Sequence, residues 1–358
     1  MPSKKITSSD VAKLAGVSQA SVSLILNNTS GVSFSQGTKD KVLDAARKLG
    51  YCLPAQKDNS TGKNIIAVFI PTLSNLFYPQ LCAHIEKFSL QNNHKVIICN
   101  TSRDKNLEAY YLEYFAHAKV SGIIFTYVPN YPKLVEQISL SLPIVLIGEK
   151  NKDLTIPSIE LSNIRAGSIM TEHLLSLGHQ HFAFLTTPLE NLSLARTQRL
   201  EGVKQALAKK GLEHNLDVLT TDSFVETERF DVPYEYDVGY NLTKQLLQNN
   251  SPATALIGVN DMTALGIISS LHELNYKVPE DFSVCGFDNL FISKIFIPSI
   301  TTIEHHLSLR SQSAVEIIIS KNKKETNNLP GYLTEQVNRI EYQPQLIAKA
   351  STGPVKHC

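Results

Sequence analysis

The sequence lacks tryptophan and has few methionines and cysteines, three and five respectively among 358 residues. No CxxC pair occurs, and the cysteines are odd in number and widely scattered, at Cys52, Cys82, Cys99, Cys285 and Cys358. This usage excludes a disulfide framework and a zinc ribbon, and it is typical of a reduced, cytoplasmic compartment. No apolar run approaches the ~20 residues of a membrane span, and the N-terminus has no secretory-signal core. We therefore predict a cytoplasmic chain with no membrane partner.

The motifs of common enzyme classes are also lacking. The sequence contains no GxSxG, Walker loop, GxGxxG or HExxH. His179 and His181 form an HxH pair, and His305 and His306 are adjacent, but no third ligand is placed to complete a metal site. We predict no catalytic residue, no metal and no cofactor. A glycoside hydrolase with paired carboxylates remains as the enzyme alternative.

The net charge of +1 hides an uneven distribution. Residues 1–57 contain eight lysines and arginines against three aspartates, which leaves the remaining 301 residues with a net charge of −4. A small basic module on a mildly acidic body favours a nucleic-acid-binding head. The 42% content of hydrophobic residues is that of an ordinary globular protein, and the length predicts two or three domains.

The basic segment reads as three short helices. Thr7 and Asp10 have the spacing of a capping box, and Val11, Leu14 and Ala15 then recur at helical spacing. After the Gly16-Val17 turn, Ser18 is predicted to cap a second helix that runs to about Leu26 with Val22, Ile25 and Leu26 inside. Thr38 is predicted to cap a third helix, with Val42, Leu43, Ala46 and Leu49 inside and Gly50 as its C-cap. Two helices joined by a glycine-containing turn form a helix-turn-helix.

From residue 64 the pattern alternates between strand-length apolar runs and amphipathic helical stretches. The runs are continuously apolar, so the strands are buried on both faces, as in parallel sheets covered by helices. The predicted strands are Ile65–Ile70, Lys95–Cys99, Gly122–Tyr127, Ile144–Ile147, Phe182–Thr186, Val218–Thr221, Ala255–Gly258 and Ser283–Phe287. A break near Ile159–Ser162 separates two groups of four. The predicted fold class is α/β, with two doubly wound parallel-sheet lobes after an all-α helix-turn-helix domain.

The predicted domains are as follows. The helix-turn-helix domain spans 1–57, a linker spans 58–63, and an effector-binding and dimerisation core spans 64–345. Within the core we assign about 64–161 and 289–320 to the N-lobe, about 162–288 and 321–345 to the C-lobe, and 346–358 to a tail. The tail has no heptads, which argues against a C-terminal coiled coil. In paired doubly wound lobes, the cleft between them is the expected ligand site.

Motifs in both halves resemble those of the bacterial LacI/GalR repressor family. They keep their order and spacing over about residues 5–320: Asp10–Ser18 (DVAKLAGVS), Ser21–Ser23, Leu49–Tyr51, Ser74–Phe77, Glu172–His179, Arg199–Gly202 (RLEG), Asn260–Gly266, Val278–Val284, Gly286–Asp288 and Pro298–Thr302. The resemblance implies a homodimeric transcription factor with a periplasmic-binding-protein-like core. Two heads would bind a pseudo-palindromic double-stranded DNA operator, and a small molecule in the interlobe cleft would change DNA affinity.

The second helix of the head is expected to enter the major groove. Gln19 can make a bidentate contact to adenine, whereas Ala20 and Leu24 can contact only apolar surface such as a thymine methyl. Many family members have arginine at the position of Leu24, so less guanine reading is expected here. The predicted DNA-binding residues are Thr7, Ser18, Gln19, Ala20, Ser21, Ser23, Leu24, Asn27, Thr38 and Tyr51. In the segment 52–63 no apolar wedge follows Leu53, which argues against kinking of the DNA by the hinge.

The resemblance also implies a set of effector-binding residues: Asn75, Phe77, Arg199, Phe224, Asn260, Asp261 and Asp288. A guanidinium and carboxylates suit vicinal hydroxyls, and an aromatic ring suits a sugar face, so a carbohydrate is expected; a purine stacked on Phe224 is the alternative. Asp261 has an equally weighted role as a helix cap or lobe brace. Where many relatives have aspartate after the fourth strand, this chain has Gly148 and then Glu149, which moves the sugar contact to Glu149 or removes it.

Other readings remain open. A solute-binding transport protein is disfavoured by the DNA-binding head and by the lack of a signal peptide. A regulator controlled by a protein partner, alone or together with a sugar phosphate, keeps the DNA-binding function without a lone small effector. A nucleobase-responsive repressor keeps the small effector but changes its class.

Overall fold

The computed structural model describes most of the chain: residues 6–26, 34–49, 51, 64–149, 154–189, 194–221, 232–326 and 339–356. The chain divides into two compact units, residues 1–62, called the head, and residues 63–358, called the core. The predicted linker 58–63, Gly50 and Leu53 lie outside the described residues. Among the described helices, none has the length and apolar content needed to cross a membrane.

The head contains three helices, α1 (Ser8–Ala15), α2 (Gln19–Leu26) and α3 (Gln36–Leu49). Its core is small and consists of Val11, Ala12, Val22, Val42, Ala45 and Ala46, with partly buried side chains around them. The capping pair at α1 is present, since the Thr7 backbone N–H and hydroxyl both donate to the Asp10 carboxylate, at 2.8 and 2.6 Å. The predicted helix-turn-helix is confirmed.

Two details of the predicted head are wrong. The cap of α3 is Ser35, whose hydroxyl accepts from the Thr38 backbone N–H at 3.3 Å, because the helix begins two residues before Thr38. Leu43, predicted to lie inside, is 42% exposed, and Leu14, assigned to the apolar repeat of the first helix, is 53% exposed. Val11, Ala12 and Ala15 define the inward stripe of α1, and Leu14 falls on the flank of that stripe.

The N-lobe is a parallel sheet with helices on both faces. Its described strands pair in the order β11-β5-β4-β3-β1-β2. Alternate residues of β1 point into two separate apolar clusters, which explains why the run is continuously apolar. The strands are β1 (Ile65–Ile70), β2 (Lys95–Asn100), β3 (Gly122–Phe125), β4 (Ile144–Ile147), β5 (Ser158–Leu161) and β11 (Arg339–Tyr342), and the helices are α4 (Phe77–Gln91), α5 (Lys105–His117), α6 (Pro132–Ser139) and α12 (Leu307–Thr326).

The C-lobe repeats this plan with a smaller parallel sheet in the order β7-β6-β8-β9. A short antiparallel pair of strands, β10 with β12, contributes side chains to one of the apolar clusters of this lobe. The elements are α7 (Asn163–Ser176), β6 (Phe182–Thr186), α8 (Leu194–Ala208), β7 (Leu216–Thr220), α9 (Tyr234–Gln248), β8 (Ala255–Gly258), α10 (Asp261–Glu273), β9 (Ser283–Cys285), α11 (Phe291–Ile295), β10 (Thr302–Glu304) and β12 (Gln345–Ile347). The α/β class with two doubly wound lobes is confirmed, and all eight predicted strands are present.

Glycines allow two helix pairs of the C-lobe to touch backbone to backbone. A Cβ at Gly167 of α7 would lie 2.1 Å from the Arg199 carbonyl oxygen, and one at Gly202 of α8 would lie 2.0 Å from the Ile164 carbonyl oxygen. Gly239 and Gly266 have the same relation between α9 and α10. The glycine of the RLEG motif is therefore required by the approach of α7, and this contact sets where Arg199 lies.

The lobe boundaries differ from the predicted ones. The predicted break near Ile159–Ser162 overlaps strand β5 (Ser158–Leu161). Strand β11, predicted to lie in the C-lobe, joins the N-lobe sheet. Leu290 and Ile300, predicted to be in the N-lobe, pack in a C-lobe cluster. The predicted tail is also part of the C-lobe: Ser351 is fully buried and accepts the Val284 N–H at 2.8 Å. These differences arise because the chain crosses between the lobes more than once. Strands that are far apart in the sequence, such as β5 and β11, then pair within one sheet.

Candidate DNA-binding helix and interlobe cleft

The second helix of the head presents a polar face. Ser18, Gln19, Ala20 and Ser23 are exposed, and Ser21 and Leu24 are half-buried. Val22 supplies the buried side of the helix. The exposed positions coincide with those predicted to contact bases, and Asn27 lies outside the described residues. The helix therefore has a buried apolar side and an exposed side of small or polar residues that a DNA groove can approach closely.

Hydrogen bonds within the head involve several predicted DNA contacts. The Ser18 hydroxyl caps α2 by accepting the Ser21 backbone N–H at 3.0 Å. The Gln19 amide donates to the Ser8 hydroxyl at 2.9 Å, so it must leave or share this bond to contact a base. The Thr38 hydroxyl pairs with that of Ser35 at 2.8 Å, and Tyr51 packs at the edge of the head core.

A cleft of about 600 Å³ lies between the two lobes of the core. Side chains from both lobes line it, and most of them are polar or aromatic. Five of the seven predicted effector residues are among them: Asn75, Phe77, Arg199, Asn260 and Asp288. Phe224 lies outside the described residues. The further lining residues include Tyr78, Arg103, Thr126, Tyr127, Asn130, Glu149, Asn163, Arg196, His305 and Arg310.

Asp261 does not line the cleft. Its buried carboxylate accepts from the Leu290 backbone N–H at 2.9 Å and from the Thr302 hydroxyl at 2.6 Å, so it ties the start of α10 to the segments around α11 and β10. Burial and the nearby Asp288 raise its pKa. The cap of α10 is Asn260, whose side-chain oxygen accepts the Thr263 N–H at 2.9 Å. Of the two roles predicted for Asp261, the geometry is that of the brace.

Arg199 is buried and bonded on every side. Its Nε donates to Asn163 at 2.9 Å, its Nη1 to the Val259 carbonyl at 2.7 Å, and its Nη2 to Asp288 at 3.2 Å. Its guanidinium also lies 4.9 Å from the centre of the Phe287 ring. Burial raises the pKa of Asp288, and the Arg199 charge opposes that rise. Asp288 holds a φ of 120°, a strained value for a side-chain-bearing residue, of the kind that clusters at functional sites.

A second buried cluster joins the lobes across the cleft. Glu235, at the start of α9 in the C-lobe, accepts from Asn75 of the N-lobe at 2.9 Å and from Arg196 of α8 at 3.0 Å. All three side chains are nearly inaccessible to solvent. Asn163 likewise donates to Glu149, which connects the C-lobe helix α7 to the end of β4. These bonds form only while the lobes hold this relative position.

Several lining residues were not predicted. Arg103 follows β2 with a φ of 58°, Arg196 lies three residues before Arg199, and Arg310 lies in the first turn of α12. His305 precedes α12, and burial lowers its pKa well below the ordinary value. Arg196 lies on the same helix as the RLEG motif, so the motif could have been used to predict it. Nothing in the local pattern marks His305 or Arg310, because α12 reaches the cleft only through the return of the chain to the N-lobe.

One histidine of the HxH pair, His179, has a structural role. His179 is buried, and its ring nitrogens bond to the Thr254 hydroxyl at 2.8 Å and the Ser283 hydroxyl at 2.9 Å. Its Nε2 also lies 3.2 Å from the Gly353 carbonyl, so the ring ties the C-terminal segment to the sheet. Within the described ranges, no group of three or more histidine, cysteine, aspartate or glutamate side chains is arranged to hold a metal ion.

Comparison with known proteins agrees with this architecture. The sequence model of the bacterial regulatory proteins of the lacI family matches residues 7–52, and that of the periplasmic binding protein-like domain matches residues 171–352. The HTH-type transcriptional regulator RegA of Clostridium saccharobutylicum is 31% identical over 330 residues, which cover 91% of this chain and 95% of RegA.

Two solved structures are similar over the core or over both units. The Lac repressor bound to ONPG superimposes with a TM-score of 0.69 at 25% identity, over 98% of this chain and all of that chain. A LacI family regulator from Enterococcus faecium with bound ribose has the same TM-score and identity, over 82% of this chain and all of its own. The chain belongs to the LacI family of DNA-binding transcriptional regulators and is not an enzyme.

Proposed function

We propose that this regulator is a repressor that binds a pseudo-palindromic operator as a homodimer in the cytoplasm, and that a carbohydrate-like small molecule in the interlobe cleft changes its operator affinity. The observation that carries the proposal is the Asn75–Glu235–Arg196 cluster, in which buried polar groups of both lobes meet at the cleft. A ligand that competes with or completes this cluster changes the relative free energies of two lobe arrangements.

The DNA-binding half of the proposal rests on α2. Its exposed side presents Gln19, Ala20 and Ser23, which suit adenine edges, thymine methyls and phosphates. The head is small, and its basic residues supply few phosphate contacts. Two heads on two half-sites double both the contacts and the sequence that is read, which is why a dimer is proposed.

The chemistry of the cleft supports a polyhydroxylated ligand. Carboxylates, amides and guanidinium groups surround the cavity, and the rings of Phe77, Tyr78 and Tyr127 provide apolar faces. Each of these groups recognises part of a sugar, whose edge is polar and whose ring face is apolar. The similar E. faecium regulator holds ribose, which favours the same ligand class here.

The test is a thermal-shift screen of the purified full-length protein against neutral sugars, sugar phosphates, polyols and nucleobases. A ligand at 100 times its Kd adds ~2.7 kcal/mol to stability, which is several degrees in a domain of this size. Tryptophan quenching cannot replace this screen, because the chain has no tryptophan. The expected result is a shift with a sugar or sugar derivative that disappears in Arg199→Ala.

The other outcomes overturn parts of the proposal. A thermal shift with nucleobases alone would mean that the effector is a nucleobase and not a carbohydrate. A protein that binds DNA as a dimer but responds to no compound contradicts the small-molecule half and favours control by a protein partner, which co-purification would then identify. Lys204→Gln, an exposed charge removal on the same helix as Arg199, is the matched control and should leave every shift unchanged.

A further inference from the structure

The end of the cleft at the start of α12 has an excess of hydrogen-bond donors. Arg310 lies in the first turn of this helix and is 3% exposed. Its Nη2 donates to the Ile159 carbonyl at 3.1 Å, but its buried Nε has no partner. Leaving a buried charged donor unsatisfied is costly, so such a group is retained where a ligand completes it.

His305 lines the same cleft and has a second buried nitrogen without a partner. The His305 Nε2 lies 3.1 Å from the Arg199 Nη2 and 3.4 Å from the Asp288 carboxylate, and we assign it as an acceptor because the shorter contact is to Arg199, which can only donate. The proton of the neutral ring is then on Nδ1, which is buried and has no partner. Both orphan atoms therefore call for an oxygen acceptor.

The electrostatics of this end favour an acceptor with negative charge. A basic side chain in the first turn adds to the positive end of the α12 dipole, where acidic residues are normally favoured. No ion pair within 4 Å of Arg310 occurs in the described part of the chain, whereas Arg196 and Arg199 are each paired with a carboxylate. Glu149 is the acid that faces Arg310 from the end of β4, and burial raises its pKa.

We propose that the effector carries an anionic group, a phosphate or a carboxylate on a polyol, and that Arg310 and His305 bind that group at the start of α12. This inference rests on the proposed function and narrows its ligand class. The oxygens of the anion accept from Arg310 Nε and His305 Nδ1, and the hydroxyls of the same molecule reach Glu149 and Asn163. The neutral parent sugar leaves both donors unsatisfied.

The experiment is calorimetric titration of the full-length protein with matched neutral and anionic compounds. The sets are ribose with ribose 5-phosphate, and glucose with glucose 6-phosphate and gluconate; inorganic phosphate alone is the probe for a simple anion. At least one anionic member should bind about tenfold more tightly than its neutral parent, since charge-assisted hydrogen bonds are the stronger kind. Comparison of glucose 6-phosphate with gluconate separates phosphate from carboxylate recognition.

Variants test which residues cause the preference for anionic over neutral ligands. Arg310→Gln should bring the affinities of the anionic and neutral members to within about threefold of each other, and Arg310→Lys should restore part of the preference because it keeps the charge. Glu149→Gln should tighten binding of the anionic member, because it removes the opposing carboxylate. Lys204→Gln should change nothing. Circular dichroism and thermal unfolding without ligand establish that each variant is folded, and Glu149→Gln and Arg310→Lys keep the test decisive if Arg310→Gln does not fold.

Neutral sugars that bind as tightly as their anionic partners would overturn this inference and leave the proposed function intact. An anionic preference that survives in Arg310→Gln would also overturn it, because the charge would then be recognised elsewhere in the cleft. Absence of binding by every compound would overturn the proposed carbohydrate effector and this inference together.

Discussion

The head and the interlobe cleft use polar residues in opposite ways. On α2 the predicted DNA-binding side chains are exposed or half-buried, and they bond mainly to near neighbours such as Ser8 and Ser21. In the cleft the predicted effector-binding side chains are buried and join segments that lie up to 160 residues apart in the sequence, as Asn75 does with Glu235. If the proposed function holds, binding and stability are separable in the head, whereas in the cleft the same bonds provide both.

The largest effect that separates the two regions is expected for Arg199→Ala. The substitution leaves the buried Asp288 without its guanidinium and frees the Val259 carbonyl and the Asn163 side-chain oxygen. Removing one member of a buried ion pair costs ~3–5 kcal/mol. Denaturant unfolding of the core measures this loss. A cost below ~1 kcal/mol would contradict the account of Arg199 as a structural centre of the cleft.

Gly202→Ala is expected to have the next largest effect. The new Cβ would meet the Ile164 carbonyl oxygen at 2.0 Å, so α7 and α8 must separate and Arg199 must move. Overpacking of this kind costs ~1–3 kcal/mol, and ligand-induced shifts should weaken in parallel. The matched control is Gly37→Ala in the head, where nothing lies within 4 Å of the new methyl group. Equal unfolding curves for Gly202→Ala and the wild type would show that the helix contact is not tight.

The core should respond to mild acid through His179, whereas residues 1–62 contain no histidine. Burial lowers the His179 pKa in the folded protein, so the unfolded state takes up the proton first as the pH falls. The stability contributed by the neutral ring is therefore complete above a pH of about 6.5 and declines below it.

The measurement compares the wild type with His179→Asn. At pH 7.5 the variant should be less stable by ~2 kcal/mol, because the hydrogen bonds to Thr254 and Ser283 are weakened or lost. The difference should shrink as the pH falls from 7 to 5. A difference that is constant or that grows over this range would contradict the assignment of His179 as a buried neutral ring. The carboxyl groups of the core whose pKa values are raised by burial are present in both proteins, so their contribution to the pH dependence cancels in the comparison.

The smallest effect on folding is expected for Gln19→Ala in the head. The exposed amide loses its bond to Ser8, so unfolding of either unit should change by no more than ~0.5 kcal/mol. Discrimination of one base pair in each half-site should fall by about 1 kcal/mol, the low end for a bidentate contact, because the amide must first leave Ser8. Competition between matched and substituted DNA duplexes measures this loss. Unchanged discrimination would remove Gln19 from the base-reading set.

The parts of the fold that sequence reasoning predicted are those with strong local patterns. Ile65–Ile70 and the other apolar runs are strands in the structure, and the central ones are covered on both faces, which leaves no polar position. The prediction of burial on both faces is wrong for β2 and β7, because they lie at sheet edges, where Ile97, Ile98 and Val218 are 42%, 49% and 40% exposed. β5 and β11 were missed because their segments, SIEL and RIEY, are short and carry charges. Their state is determined by pairing between residues 158–161 and 339–342, which lie far apart in the sequence.

The same division holds for the cleft. Asn75, Arg199 and Asp288 could be located because they stand in recognisable motifs after strands or at a helix start. Arg310 and His305 could not, since an arginine in the first turn of a helix reads as an ordinary surface residue. Only the return of the chain into the N-lobe brings them to the cleft. The excess of basic side chains at this end of the cleft therefore arises from the tertiary structure and not from a local sequence pattern.

The most direct test of the account is whether the cleft controls the head. An operator is first selected from random duplex DNA, where an inverted repeat is expected, and its affinity is then measured by fluorescence anisotropy with and without the compound that gives the largest thermal shift. We predict a change in Kd of about tenfold, a coupling of ~1.4 kcal/mol, which is lost in Arg199→Ala. An operator affinity that stays constant while the compound stabilises the core would contradict it.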